Sequence, residues 1–212
     1  MKAPTEQLIR RAQTYWYTDG LAEIGFAVIS LVLSFYIYGY ATLAPDSILY
    51  RILDVGFLLI LLGTGLLIRK LISSLKSRLT YPRTGYVSYR PPKTSHSLGS
   101  MLLAILISAV LVFLLSSGKN IEAYMPAASG ILIGAALTYF AYRHGPLRFY
   151  LLAALSSLLG PGLSFSGLGD IYGLSLYYGF MGLGLLISGL LVLRDYLLKT
   201  EPLAGVKENQ HG

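Results

Sequence analysis

Residue types that commonly carry out chemistry are few in this sequence and widely separated. Cysteine is absent, which excludes disulfides, thiolate metal sites and a cysteine nucleophile. The histidines are His96, His144 and His211, and only His211 has a carboxylate one helical turn away, in Glu208. There is no nucleophile-elbow serine motif, no phosphate-binding glycine loop and no pair of carboxylates on one apolar stretch. We therefore expect no catalytic residues, no metal, no cofactor and no enzymatic activity.

The strongest candidate for a substrate site is the stretch Gly160-Pro161-Gly162. Two glycines and a proline cost a continuous helix about 5 kcal/mol against alanine, at ~1 for each glycine and ~3 for proline. We therefore expect a break or kink in the helix, and broken helices at membrane depth often mark substrate sites in transporters. The alternative is a helix that ends at Leu159 and is followed by a loop. The residues expected to form the substrate site are Gly160, Pro161, Gly162, Ser164 and Asp170.

A second candidate binding region is strongly basic. No acidic residue occurs from Val55 to Ile121, so the basic residues between Arg69 and Lys93 are not neutralised locally. A basic residue beside an anionic lipid surface contributes about 1 kcal/mol of attraction. We expect anionic lipid headgroups or a protein partner here and no nucleic acid, and the alternative is a solvated loop that only sets topology. The residues expected to bind are Arg69, Lys70, Lys76, Arg78, Arg83 and Arg90.

Carboxylates near the ends of apolar stretches allow two interpretations. Asp19 and Glu23 lie one helical turn apart, where they could form a cation or proton site. The alternative is that they cap a helix and pair with nearby arginine. Asp54 follows Arg51 by three residues, and this spacing predicts an ion pair on one helix face.

The elements that must position these residues are long apolar helices. Of the 212 residues, 54% are hydrophobic and 13% charged, which is about half the charged fraction of a soluble domain. A membrane-spanning helix needs about 20 mostly apolar residues. Six stretches meet this rule, at residues 21–43, 52–72, 98–117, 123–142, 147–168 and 171–193. The sequence therefore predicts an all-α, polytopic transmembrane helical bundle of six spans.

The positions of lysine and arginine predict how these spans are oriented. With the N-terminus in the cytoplasm, all but two of the 17 basic residues fall in cytoplasmic segments, and the exceptions are Arg51 and Lys119. We therefore expect a multi-pass protein of the cell (inner) membrane with both termini cytoplasmic. The spans then form three transmembrane hairpins, at residues 21–72, 98–142 and 147–193.

Three polar segments complete the predicted organisation, at residues 1–20, 73–97 and 194–212. The first is expected to be an interfacial helix, because apolar residues recur at helical spacing between Thr5 and Tyr17. The second is the basic cytoplasmic loop, and the third is a cytoplasmic tail. Within the loop, residues 79–81 and 86–89 flank the turn sequence Pro82-Arg83-Thr84-Gly85, which predicts a small β-hairpin.

Small residues at a spacing of four predict close contacts between helices. Gly130 and Gly134 form a G-x-x-x-G pattern, and Gly184 with Ser188 forms a similar small-residue pair. These patterns suit packing within one chain and dimerisation equally well.

Two sequence strings carry a resemblance to other proteins. They are Tyr15-Trp16-Tyr17-Thr18-Asp19-Gly20-Leu21 and Leu79-Thr80-Tyr81-Pro82-Arg83-Thr84-Gly85-Tyr86. The chain resembles a family of uncharacterised prokaryotic six-span integral membrane proteins with such strings. That resemblance implies a bundle in a prokaryotic inner membrane and no particular activity.

Two functions fit these patterns, and a third is disfavoured. The basic loop and the lack of catalytic residues favour a non-enzymatic scaffold or regulatory membrane subunit. The expected break at Gly160 favours a small transporter, or a transporter subunit, instead. An enzyme acting on lipid is disfavoured, because no nucleophile, base or metal cluster is visible.

Overall fold

All secondary structure in the described part of the chain is helical. The computed structural model describes residues 19–80, 105–110, 112, 116, 121–144, 146–168 and 170–200. Its five long helices are α1 (Leu21–Thr42), α2 (Ile48–Leu75), α3 (Ile121–His144), α4 (Leu147–Phe165) and α5 (Asp170–Lys199). A π-helical turn, Lys76–Thr80, continues α2.

These helices agree closely with five of the predicted spans. Each is long and apolar enough to cross a membrane. The predicted span 98–117 falls largely outside the described residues, although residues 105–110, 112 and 116 are helical. The predicted N-terminal helix and most of the predicted β-hairpin also lie outside them. Leu79 and Thr80, the first residues of that hairpin, belong to the π-helical turn and form no strand.

Helices α1 and α4 run opposite to α2, α3 and α5, which brings most of the described basic side chains to one end of the bundle. At this end α1 and α4 begin, and α2, α3 and α5 finish, as contacts between these termini show. We call it the basic end and the opposite one the far end. The lysines and arginines of the basic end whose side chains are described are Arg69, Lys70, Lys76, Arg78, Arg148, Arg194 and Lys199.

Among the described helices, the most extensive contacts lie between the predicted hairpins, and weaker ones join α1 to α2 and α4 to α5 within them. The first helix, α1, packs mainly against the last, α5, and α3 packs mainly against α4. Helix α2 lies at the edge, touching α1, and its leucines are largely exposed: Leu58, Leu59, Leu62, Leu66 and Leu67. An exposed apolar surface of this kind suits lipid better than water.

Glycines set the close contact between α3 and α4. A Cβ atom on Gly130 would lie 2.8 Å from the Gly160 Cα, and a Cβ on Gly160 would lie 2.5 Å from the Pro126 carbonyl oxygen. The two backbones therefore touch, as the G-x-x-x-G pattern of α3 predicted for packing within the chain.

The expected break at Gly160 is not found. Helix α4 is continuous from Leu147 to Phe165, with Pro161 inside it, so the alternative in which it ends at Leu159 is also wrong. Gly160 lets α3 pack closely against α4. This packing offsets the low helix propensity of Gly160-Pro161-Gly162.

Buried polar groups between the helices are satisfied by one another. The Ser156 hydroxyl, fully buried, donates to the Gly130 carbonyl at 2.9 Å and lies 2.8 Å from the Tyr177 hydroxyl. Ser34 and Ser175 exchange hydroxyl-to-carbonyl hydrogen bonds of 2.8 and 2.9 Å between α1 and α5. Such bonds fix how the apolar helices are rotated about their axes.

Substitution by alanine should affect the stability of the protein in opposite ways at the two glycines on either side of Pro161. A Cβ on Gly160 would meet backbone atoms of α3, whereas a Cβ on Gly162 would meet nothing within 4 Å. We expect Gly160→Ala to lower the free energy of unfolding by about 1–3 kcal/mol, as overpacking does. We expect Gly162→Ala to leave it unchanged or raise it. Thermal unfolding of the two variants in the same detergent measures the difference, and equal midpoints would contradict the contact.

Candidate functional site

A close crossing of α1 and α5 positions the charged groups of the basic end. Gly20 precedes α1 with a left-handed φ of 69°, which glycine adopts without strain. A Cβ on Gly20 would overlap the Gly189 carbonyl oxygen, and a Cβ on Gly189 would lie 3.0 Å from the Gly20 carbonyl oxygen. Glu23 lies one turn after Gly20, and Ser188 directly precedes Gly189. The close crossing therefore brings Glu23 and Ser188 face to face.

Glu23 joins three helices through its two carboxylate oxygens. Its Oε1 accepts from the Arg148 Nε at 2.6 Å, and its Oε2 accepts from the Ser188 hydroxyl at 2.6 Å. The Glu23 side chain is 3% exposed and the Arg148 side chain 25% exposed. The carboxylate thus lies inside the bundle, while Arg148 reaches it from the first turn of α4.

Asp19 holds the adjoining end of α2. Its Oδ1 accepts from the Leu21 backbone N–H at 3.2 Å, and its Oδ2 lies 3.3 Å from the Lys76 Nζ. Both side chains are almost fully buried. We call Asp19, Glu23, Lys76, Arg148 and Ser188 the charged cluster.

The contacts of the charged cluster clamp the helices together. Each carboxylate has its own cation, as burial in a low dielectric requires. Among the described residues, no group of three or more possible metal ligands occurs. The interpretation of Asp19 and Glu23 as ion-pair partners is confirmed, although one of the cations is a lysine. Asp19 also accepts from the Leu21 backbone N–H, whereas Gly20 occupies the N-cap position and Glu23 makes no capping hydrogen bond in the described structure.

The expected pair of Arg51 and Asp54 does not form. The ion pairs within the described part of the chain are Asp19–Lys76, Glu23–Arg148 and Asp195–Lys199. Both Arg51 and Asp54 are exposed near the start of α2, where an ion pair adds little stability.

A cleft of about 440 Å³ opens beside the charged cluster, between α1 and α2. Its walls are mainly apolar side chains of both helices, and its polar groups come from the last turns of α2. The lining residues are Ala22, Gly25, Phe26, Ile29, Gly65, Ile68, Arg69, Ile72, Ser73 and Lys76.

The structure divides the predicted basic residues into different environments. Arg69, Lys70 and Arg78 are exposed, and Arg69 lines the cleft. Lys76 is 3% exposed and paired with Asp19, so it is a structural cation and not a surface one. Arg83 and Arg90 lie outside the described residues.

The predicted substrate residues that are described lie in different surroundings. Gly160 faces α3 and Gly162 faces open space. The Ser164 hydroxyl accepts from the Ala127 backbone N–H at 2.9 Å, which binds α4 to α3. Pro161 lies within α4, and Asp170 is the first residue of α5.

Comparisons with protein-family models, with curated proteins and with solved structures find no match to this chain. The resemblance carried by its two sequence strings therefore stays a prediction.

Substitution of Glu23 tests how much the charged cluster stabilises the bundle. Glu23→Gln keeps the shape and removes the charge, which leaves Arg148 half-buried without its carboxylate. Removing one partner of a fully buried pair costs about 3–5 kcal/mol, and we expect about 2 here because Arg148 is partly exposed. Unfolding of the purified protein in detergent measures this loss.

The exposed pair Asp195–Lys199, with side chains 60% and 73% exposed, provides the matched control. Asp195→Asn should change the unfolding midpoint little, because exposed pairs contribute little. The double change of Glu23→Gln and Arg148→Gln should recover part of the loss. Equal effects of Glu23→Gln and Asp195→Asn would contradict the clamp.

Proposed function

We propose that this chain is a non-enzymatic multi-pass membrane protein, a scaffold or regulatory subunit whose basic end contacts anionic lipid headgroups or a protein partner. It lies in a prokaryotic inner membrane with both termini in the cytoplasm. The five apolar helices support the membrane location. The gathering of basic side chains at one end, with Arg51 at the other, supports the orientation.

The single observation that carries the proposal is an excess of exposed positive charge at the basic end. Lys70 and Arg78 are exposed, and no described carboxylate pairs with either. Asp19 and Glu23, the buried carboxylates of this end, are already engaged within the bundle. An external anion is therefore the natural counter-charge for these side chains.

The transporter alternative has lost its starting observation. It required a broken helix at Gly160, and α4 is continuous there. The buried hydroxyls of Ser156 and Tyr177 bind each other and the α3 backbone. Of the polar residues expected to line that site, Ser164 accepts a hydrogen bond from the Ala127 backbone N–H of α3.

The proposal predicts an enrichment of anionic lipid around the basic end. Membrane discs cut out by polymer keep the native lipid, which mass spectrometry can quantify together with any co-purified protein. We expect Lys70→Gln with Arg78→Gln to reduce the anionic lipid several-fold, because each cation contributes about 1 kcal/mol. The loop pair Arg83→Gln with Arg90→Gln should release lipid or a specific protein.

Arg51→Gln with Lys119→Gln removes the same number of charges from the predicted opposite side and serves as the matched control. It should leave both the lipid and any partner unchanged. The proposal fails if neither basic-end pair alters the composition of the discs, or if the control pair alters it equally.

A further inference from the structure

We infer that the cleft between α1 and α2 is a binding site for one anionic phospholipid. This inference rests on the proposed function, because it places one particular lipid molecule at the basic end. The headgroup lies at Arg69 and Ser73, and the acyl chains run along the apolar wall toward the middle of the bundle.

The cleft follows the contact between α1 and α2 and is open beside Gly65. At the wall of the cleft itself, a Cβ on Gly25 would lie 2.9 Å from the Ile68 Cγ2, so the helices are in contact there. Near the far end, the rings of Tyr36 and Phe57 lie 5.0 Å apart. Between these contacts lies Gly65, where a Cβ would meet nothing within 4 Å.

The polar groups of the cleft match the charge of a phosphodiester headgroup. Arg69 and Ser73 are one helical turn apart on α2, so their side chains point the same way. The charge of Lys76 is offset by Asp19. Arg69 therefore supplies the uncompensated positive charge of the described lining, and a guanidinium binds the two oxygens of a phosphate well.

The depth of these groups also suits a lipid. Helix α2 has 28 residues, or about 42 Å of length at 1.5 Å per residue, against about 30 Å for the hydrocarbon of a bilayer. Arg69 directly follows the apolar run Leu66-Leu67-Ile68 and so marks the level at which headgroups begin. The remaining lining is mostly apolar, which favours an amphiphile over a free phosphate ion.

Two glycines of α2 allow the cleft to be filled without altering its charges. Gly65 lines the cleft and Gly63 does not, and a Cβ at either position meets nothing within 4 Å. Gly65→Leu therefore places a side chain where the acyl chain would lie, and Gly63→Leu is its matched control. Native mass spectrometry of each protein, titrated with phosphatidylglycerol or with phosphatidylcholine of the same chains, counts the bound lipid.

We expect the wild type and Gly63→Leu to retain one phosphatidylglycerol in preference to phosphatidylcholine. Gly65→Leu should weaken that binding by about tenfold or more, and Arg69→Gln should weaken it similarly with the cleft shape intact. Unfolding midpoints of both leucine variants show whether the fold is kept. Unchanged phosphatidylglycerol binding by Gly65→Leu or by Arg69→Gln, or equal affinity for phosphatidylcholine, overturns the site.

Substitution of Lys70 and Arg78 tests the proposed function without testing the cleft, because neither residue lines the cleft. If their glutamine variant depletes anionic lipid in native discs while Gly65→Leu binds phosphatidylglycerol normally, the cleft site falls and the proposed function stands. If neither basic-end pair alters the discs and Gly65→Leu binds phosphatidylglycerol normally, both fail.

Discussion

The burial of the Glu23 carboxylate is the constraint on which the arrangement of the bundle depends. An ionised carboxylate can stay in a low-dielectric interior only with a cation and further donors nearby. Arg148 and Ser188 meet that need from α4 and α5, each at 2.6 Å. Apolar surfaces alone would allow these helices to slide or rotate, whereas the carboxylate allows one arrangement.

Small residues make that arrangement sterically accessible. Gly20 and Gly189 let α1 and α5 approach beside Glu23, and Gly130 and Gly160 do the same for α3 and α4. Close backbones in turn bring short hydroxyl side chains, such as Ser156, within reach of carbonyls on the next helix. Helix contact and polar satisfaction are thus achieved by the same residue types. Helix α2 has few such contacts, and the cleft opens on its side of the bundle.

Local pattern predicts where the helices lie, but it does not predict which of them pack most closely together. Hydrophobic runs place α1 to α5 within a few residues of their observed ends, because run length is read directly from the chain. Partner choice depends on long-range pairs such as Glu23 with Ser188, 165 residues apart, for which the sequence holds no local signal. The predicted break at Gly160 failed for a related reason. Propensity is local, and the packing of Gly130 against Gly160 outweighs it. The pattern predicts a surface cation at Lys76 and misses its burial, because its partner Asp19 lies just before α1, far from Lys76 in the sequence.

The pairing of the first helix with the last also governs how the protein is made. Glu23 leaves the ribosome 125 residues ahead of Arg148, an interval of about 6–25 s at common rates of synthesis. During that time α1 has neither its cation nor the glycine surface of α5 to pack against. A chain that stops early thus keeps an uncompensated carboxylate at the edge of an apolar helix. This unpaired carboxylate distinguishes an unfinished chain from a finished one. It disappears only when the final helices have been made and supply its partners.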